Sequence, residues 1–81
     1  MFVELITPDK KYFEGEATGV KVPGINGEFE MLDRHANIIS SLAKGDVRIA
    51  NGKDLTTFTV DGGTIEMLDN KLVILAEAVL S

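Results

Sequence analysis

The chain reads as an all-β domain of the sandwich or barrel type, and three observations predict it. Short runs rich in Val, Ile, Phe and Thr are separated by glycine-containing turns along the whole length, the spacing expected of packed β-sheets. Two dipeptides carry hairpin signals, Asn51-Gly52 and Asp69-Asn70, because Asn, Asp and Gly tolerate the positive φ that tight hairpin turns need. The last hairpin also passes a register test. With Asp69 and Asn70 as its turn residues, Ile65, Met67, Leu72 and Ile74 fall on one wholly apolar face. A slip of one residue would scatter them.

The elements follow in order. Phe2 to Thr7 is the first expected strand, closed by Pro8-Asp9. Lys11 to Phe13 is a short second one, ending before Gly15. Ala17 to Val22 is the third, with Val20 and Val22 alternating with Lys21. Pro23-Gly24 and Asn26-Gly27 bracket a turn, and Glu28 to Leu32 returns with Phe29 and Met31 on one face. His35 to Leu42 fits two patterns. Ile38, Ile39 and Leu42 could line a short helix, whereas adjacent isoleucines suit a strand, and the strand is the expectation. Val47-Arg48-Ile49 leads into Asn51-Gly52, and Leu55 to Val60 returns. Gly62-Gly63 interrupts, Thr64 to Leu68 resumes, and the final strand starts at Lys71. The second face of that last hairpin mixes Glu66 and Lys71 with Leu68, Val73 and Leu75.

Composition bounds the function. The 81 residues make a single domain, 1–81. A domain of this size buries only about 60–65% of its unfolded surface, which leaves little material for a deep catalytic cleft. The absence of cysteine rules out disulfides and thiolate metal sites. A formal net charge of −5 gains nothing from counterion release, so nucleic acid and anionic lipid are poor partners. A protein with a basic patch suits it better. No apolar run approaches the roughly 20 residues of a membrane-spanning helix, and Met1 to Leu5 has no basic signal-peptide region.

The search for catalytic chemistry is short. His35 is the only histidine, and one imidazole without cysteines does not close a zinc site. Asp33 would share a strand face with it, but no nucleophile is placed beside the pair. Gly24, Gly27, Gly62 and Gly63 lack the lysine, hydroxyl residue and helix of a phosphate loop. Lys71, beside a hairpin turn, raises an alternative function: a lipoyl or biotinyl carrier domain modified at that lysine. Against it, Lys71 flanks the turn instead of occupying it, and the chain has no two similar halves. Glu28, Glu30 and Asp33 surround Phe29, Met31 and Leu32, an acidic edge beside an apolar one.

A family resemblance emerges at these residues. Val22-Pro23-Gly24-x-x-Gly27-Glu28-Phe29, then Leu32-x-x-His35-Ala36, resembles the signature of the epsilon subunit of bacterial F-type ATP synthase. Phe13-x-Gly15 precedes it. Gly45-x-Val47-Arg48-Ile49, Val60-x-Gly62-Gly63-x-x-Glu66 and Val73-x-Leu75-Ala76-Glu77 follow in order, covering nearly the whole chain.

The resemblance implies a flattened, mostly antiparallel β-sandwich of about ten short strands. It implies a non-catalytic place in the central stalk, peripheral to the cytoplasmic face of the bacterial inner membrane and not inserted in it. There the domain would dock the gamma subunit to the membrane c-ring and help couple proton or sodium flow to ATP synthesis. No cofactor is implied. By position, Glu28, Phe29, Glu30 and Met31 would face the c-ring, whose loops carry arginine in this family. Thr7, His35 and Ser40 would lie against gamma, with Ala36, Ile39 and Leu42 adding apolar contact there. Three departures stand out. The family usually has glycine where Glu30 stands, prolines where Asp33 and Asn37 stand, and a larger apolar residue where Thr64 stands. Family members also usually continue into an inhibitory helical hairpin, in some able to bind ATP. With nothing after Ser81, the expectation is a coupling subunit without that brake, and without ATP binding.

Overall fold

A computed structural model describes residues 1–81. Seven strands form one sheet: β1 (Phe2–Ile6), β2 (Lys11–Glu16), β3 (Gly19–Gly24), β4 (Gly27–Leu32), β5 (Ile38–Asn51), β6 (Asp54–Leu68) and β7 (Lys71–Ala76). Their order across the sheet is β2-β1-β7-β6-β5-β3-β4. Every pairing is antiparallel except β1 with β7.

The strand count is lower than the ten expected, and the reason lies in β5 and β6. They run 14 and 15 residues through Gly45 and Gly62-Gly63, which resemble gaps in the sequence. Their shared register holds from Ile38↔Met67 to Asn51↔Asp54. What changes along them is the buried face. Leu42 faces inward in the first half of β5, Val47 and Ile49 in the second; in β6 the pattern passes from Val60 to Ile65 and Met67. An even-to-odd switch needs a local departure from extended geometry, since side chains otherwise alternate strictly. Gly62 and Gly63 supply it with φ of 83° and 142°. The sheet folds over on itself there into two layers. One layer holds β2, β1, β7 and residues 63–68 and 38–42. The other holds residues 54–60, 46–51, β3 and β4.

One cluster of 16 buried apolar residues fills the space between the layers. Leu5, Met31, Ile65, Met67, Leu72 and Ile74 are almost wholly enclosed. Truncating such a side chain to alanine typically costs about 2–5 kcal/mol. Phe58 closes one end, meeting Tyr12 and Phe13 edge-on at 6.4 and 6.3 Å.

Local details correct several boundaries. β1 ends at Ile6, and β2 continues through Gly15 to Glu16. β3 takes in Pro23, at the place where its register with β5 shifts. Proline has no N–H to donate, so the ladder is interrupted where it costs least. Gly45 of β5 passes so close that an added Cβ would lie 2.7 Å from Pro23 Cβ. The ambiguous segment is a strand only from Ile38 onward; residues 33–37 form an exposed loop. The turn between β5 and β6 is Gly52-Lys53, one residue later than Asn51-Gly52, with Asn51 paired to Asp54. Gly52 alone takes the left-handed φ, 64°, as a turn with glycine in first position requires. The β6–β7 hairpin matches its expected register, Met67↔Leu72 and Ile65↔Ile74, with Asp69 and Asn70 at φ of 49° and 63°.

Candidate docking surfaces

Folding the sheet leaves two outer faces, and the predicted contact residues divide between them. On the first layer the outward row Ile39, Glu66, Val73 and Glu4 crosses β5, β6, β7 and β1. Ile39 is 75% exposed, and Leu68 and Leu75 on the same face are 53% and 48% exposed. They are the large apolar side chains that this outer face leaves open to solvent. Sequence reasoning singles out Ile39. It shows that Leu68 and Leu75 make that face mixed but assigns them no contact.

Charge borders this patch. Glu4 binds two lysines, with Lys71 Nζ at 3.0 Å and Lys11 Nζ at 2.9 Å; Lys11 also contacts Glu14. The hydrogen bonds from Lys11 and Lys71 hold the Glu4 carboxyl below the usual range. Contact with Glu14, then with Glu4, pushes Lys11 up to about 12. Lys71 therefore lies flat on the sheet beside Glu4, also 5.9 Å from the Phe2 ring, and does not crown the turn as a carrier lysine would.

One end of the face is the loop at 33–37, where His35 and Ala36 are exposed. His35 Nδ1 lies 2.8 Å from the Ala36 carbonyl. Asp33 Oδ1 takes hydrogen bonds from the Met1 ammonium at 2.6 Å and from Asn70 Nδ2 at 3.0 Å. Those two bonds, in that order, hold its carboxyl below the usual range. At the other end Thr7, Ser41, Leu42, Thr64, Leu75 and Glu77 line a cleft of about 640 Å³.

The gamma-facing set is thus only partly assembled. Ala36, His35 and Ile39 share the loop and the adjoining face, and Thr7 lies at the far end of β1. Leu42 is 5% exposed and is corrected to a core residue at the base of the cleft. Ser40 points the other way, half-buried beneath the β3–β4 turn with Gly24, Ile25 and Phe29. Parity decides this: Ser40 pairs with buried Ile65, while Ile39 pairs with exposed Glu66.

The second surface is that β3–β4 turn. Glu28 and Glu30 are exposed beside it, and Phe29 packs partly against the core. Met31 is 0% exposed, so it is corrected from a contact to a core residue that holds β4 down. Alternation along β4 sends Phe29 and Met31 inward and the two glutamates outward. Ile25, at the tip of the turn, is 61% exposed. Its signal in the sequence is an apolar residue between Pro23-Gly24 and Asn26-Gly27. Arg48 Nη1 lies 3.9 Å from Glu28 Oε2. No cluster of His, Cys, Asp and Glu has the geometry of a metal site, and no helix is long and apolar enough to cross a membrane.

In class, the chain is a small β-sandwich domain with an exposed apolar face and an acidic turn. The family is specific. The family description "ATP synthase, Delta/Epsilon chain, beta-sandwich domain" matches residues 1–81, and this chain belongs to that family. The ATP synthase epsilon chain of Chlorobium limicola is 36% identical over 78 residues, covering 95% of this chain and 89% of that one. The epsilon chain of Salinibacter ruber is also 36% identical, over 95% of this chain; the match spans only 58% of the relative. Among solved structures, the mitochondrial ATP synthases of Tetrahymena thermophila (central stalk and c-ring) and Euglena gracilis each contain a similar chain. The TM-scores are 0.81 and 0.88, at 19% and 18% identity, over 99% and 96% of this chain and 65% and 51% of theirs. The likeness at that identity is one of fold. The epsilon subunit is a structural part of the ATP synthase, not a catalytic one.

Proposed function

We propose that this domain is a coupling part of the central stalk, docking a gamma subunit to a membrane c-ring at the cytoplasmic face of a bacterial membrane. The observation that carries the reading is the solvent-facing Ile39, Leu68 and Leu75 on one outer face. Burying them gives a partner an apolar contact, at about 25 cal/mol per Å² removed from water. Membership of the epsilon family supports gamma as that partner. The β3–β4 turn is the ring-facing end. Its exposed Glu28 and Glu30 offer negative charge to the basic loops that the resemblance implies for the ring.

In this role the domain transmits torque by being stiff. The core is continuous across both layers, so a force on the turn reaches the opposite face without a hinge. Coupled ion flow, of protons or sodium, would be passed on through those contacts. The test is co-purification of gamma and the c-ring with this chain, and with its Glu28→Arg variant. Gamma and ring should follow the wild type, and the variant should lose the ring while keeping gamma and its fold. Capture of neither partner by the wild type would reject the reading.

A further inference from the structure

The β6–β7 turn grips the loop at 33–37. Asn70 Oδ1 accepts the Arg34 N–H at 2.7 Å. Asn70 Nδ2 donates to Asp33 Oδ1 at 3.0 Å, across 37 residues of sequence. The neighbouring Asp69 N–H donates to Asn37 Oδ1 at 2.9 Å. Two adjacent turn residues therefore hold both ends of the loop.

Apart from these bonds the loop is tied at its Asp33 end, where the Asp33 N–H donates to the Thr18 carbonyl at 3.1 Å and the Asp33 carboxylate takes the Met1 ammonium at 2.6 Å. All its side chains are exposed and it belongs to no strand. The His35 N–H donates to the Leu32 carbonyl at 3.1 Å, closing a β-turn with Arg34 in third position. Arg34 takes φ of 65° there, a value that glycine or asparagine adopts readily and arginine does not. Something outside the turn must hold Arg34 in this conformation, and Asn70 bonds its backbone directly.

We propose that Asn70 is a positioning residue for partner docking: it splints residues 33–37 so that His35 and Ala36 are presented in one shape. This rests on the reading of that loop as part of the gamma-facing surface. A partner then meets a loop that is already ordered, so less affinity is lost to ordering it on contact. The β6–β7 hairpin has a second task beyond closing the sheet.

The test is Asn70→Gly in the full chain. Glycine accepts the φ of 63° and keeps the hairpin, while every side-chain bond from position 70 to the loop is lost. Binding to the purified gamma subunit should weaken about five- to twentyfold, because the competent loop shape becomes a minority population. The Arg34 amide should exchange faster with solvent while the Ile65 amide stays protected. Asn37→Ala, which changes no residue of the hairpin and removes only the bond from the Asp69 N–H, should weaken binding about two- to threefold by the same argument. His35→Ala separates the failures. If it weakens binding while Asn70→Gly and Asn37→Ala bind as wild type, the splint is wrong and the docking reading stands. If His35→Ala and Ile39→Ser both bind as wild type, the docking reading itself falls.

Discussion

The Glu28 carboxylate faces the Arg48 guanidinium, 3.9 Å from Oε2 to Nη1. Asp46 stands 3.9 Å from the other side of the same guanidinium and takes a 2.7 Å hydrogen bond from the Thr59 hydroxyl. The glutamate assigned to meet a cation on the ring already has one within its own chain. Side-chain exposures of 45% and 50% for Arg48 and Glu28 make this a weak pair, worth at most about 1 kcal/mol. It is exchanged readily.

Removing the internal cation should therefore free Glu28 for its partner. Arg48→Gln is expected to bind the c-ring about two- to fivefold more tightly, the range that a pair of this exposure spans. Lys53→Gln, at the tip of the β5–β6 hairpin, makes the same change in net charge and should leave ring binding unaltered. Titration of detergent-solubilised ring against the immobilised chain reads both.

Ile39 and Leu42 should respond in opposite ways to the same substitution. Ile39 is 75% exposed and Leu42 is 5% exposed. Ile39→Ser should shift stability by less than about 0.5 kcal/mol and weaken gamma binding about tenfold, as loss of an apolar anchor does. Leu42→Ser should cost several kcal/mol of the order seen for core truncation, about 2–5. Urea unfolding and gamma titration on both variants distinguish a contact residue from a core residue.

Gly63 should tolerate no side chain. An added Cβ would lie 2.1 Å from the Leu75 carbonyl oxygen and 2.9 Å from Ala76 Cα, at φ of 142°. Gly63→Ala is expected to lose about 3 kcal/mol or more, from backbone strain and overpacking together. Gly52 also has a positive φ, but nothing lies within 4 Å of its Cβ position. Gly52→Ala should cost only about 1 kcal/mol. The two urea midpoints test whether the fold-over point is as tightly constrained as its geometry indicates.

Acid and alkali should loosen the domain through different groups. Glu4 and Asp33 have folded pKa values lowered from 4.5 and 3.8. Their contribution is therefore present above those values and is lost as the pH falls through the lowered folded ones. Lys11 is raised from 10.5 to about 12, so its contribution is complete below 10.5 and disappears as the pH rises through about 12. The stability difference between wild type and Glu4→Gln should be present at neutral pH and vanish in strong acid. Thermal unfolding across the pH range measures it. A difference that stays constant into strong acid would contradict a lowered Glu4 pKa.

Much of the fold was legible in the residues. The apolar alternation of Ile65, Met67, Leu72 and Ile74, with Asp69-Asn70 between, specifies a hairpin because only one register buries all four. The acids at Glu28 and Glu30 were readable as outward-facing by the same alternation, and so was the inward direction of Met31, which the assignment by resemblance overrode. The strand count was not legible. Glycines at 45, 62 and 63 look like breaks locally, yet the two long strands keep one register through them, with only the pair at 43 and 62 missing.

By itself, then, the sequence determined an all-β domain and its last hairpin, because alternation and turn chemistry are local properties, and its motifs from Val22 to Glu77 carried the family resemblance. Only the tertiary structure decided which of Ile39, Ser40 and Leu42 faces solvent, since the buried parity of β5 depends on the fold-over at Gly62-Gly63. Only it brought Asn70 to Asp33 and Arg34, and Arg48 to Glu28. Contacts across 37 and 20 positions arise from the order in which strands pair, and no periodicity in the chain encodes that order.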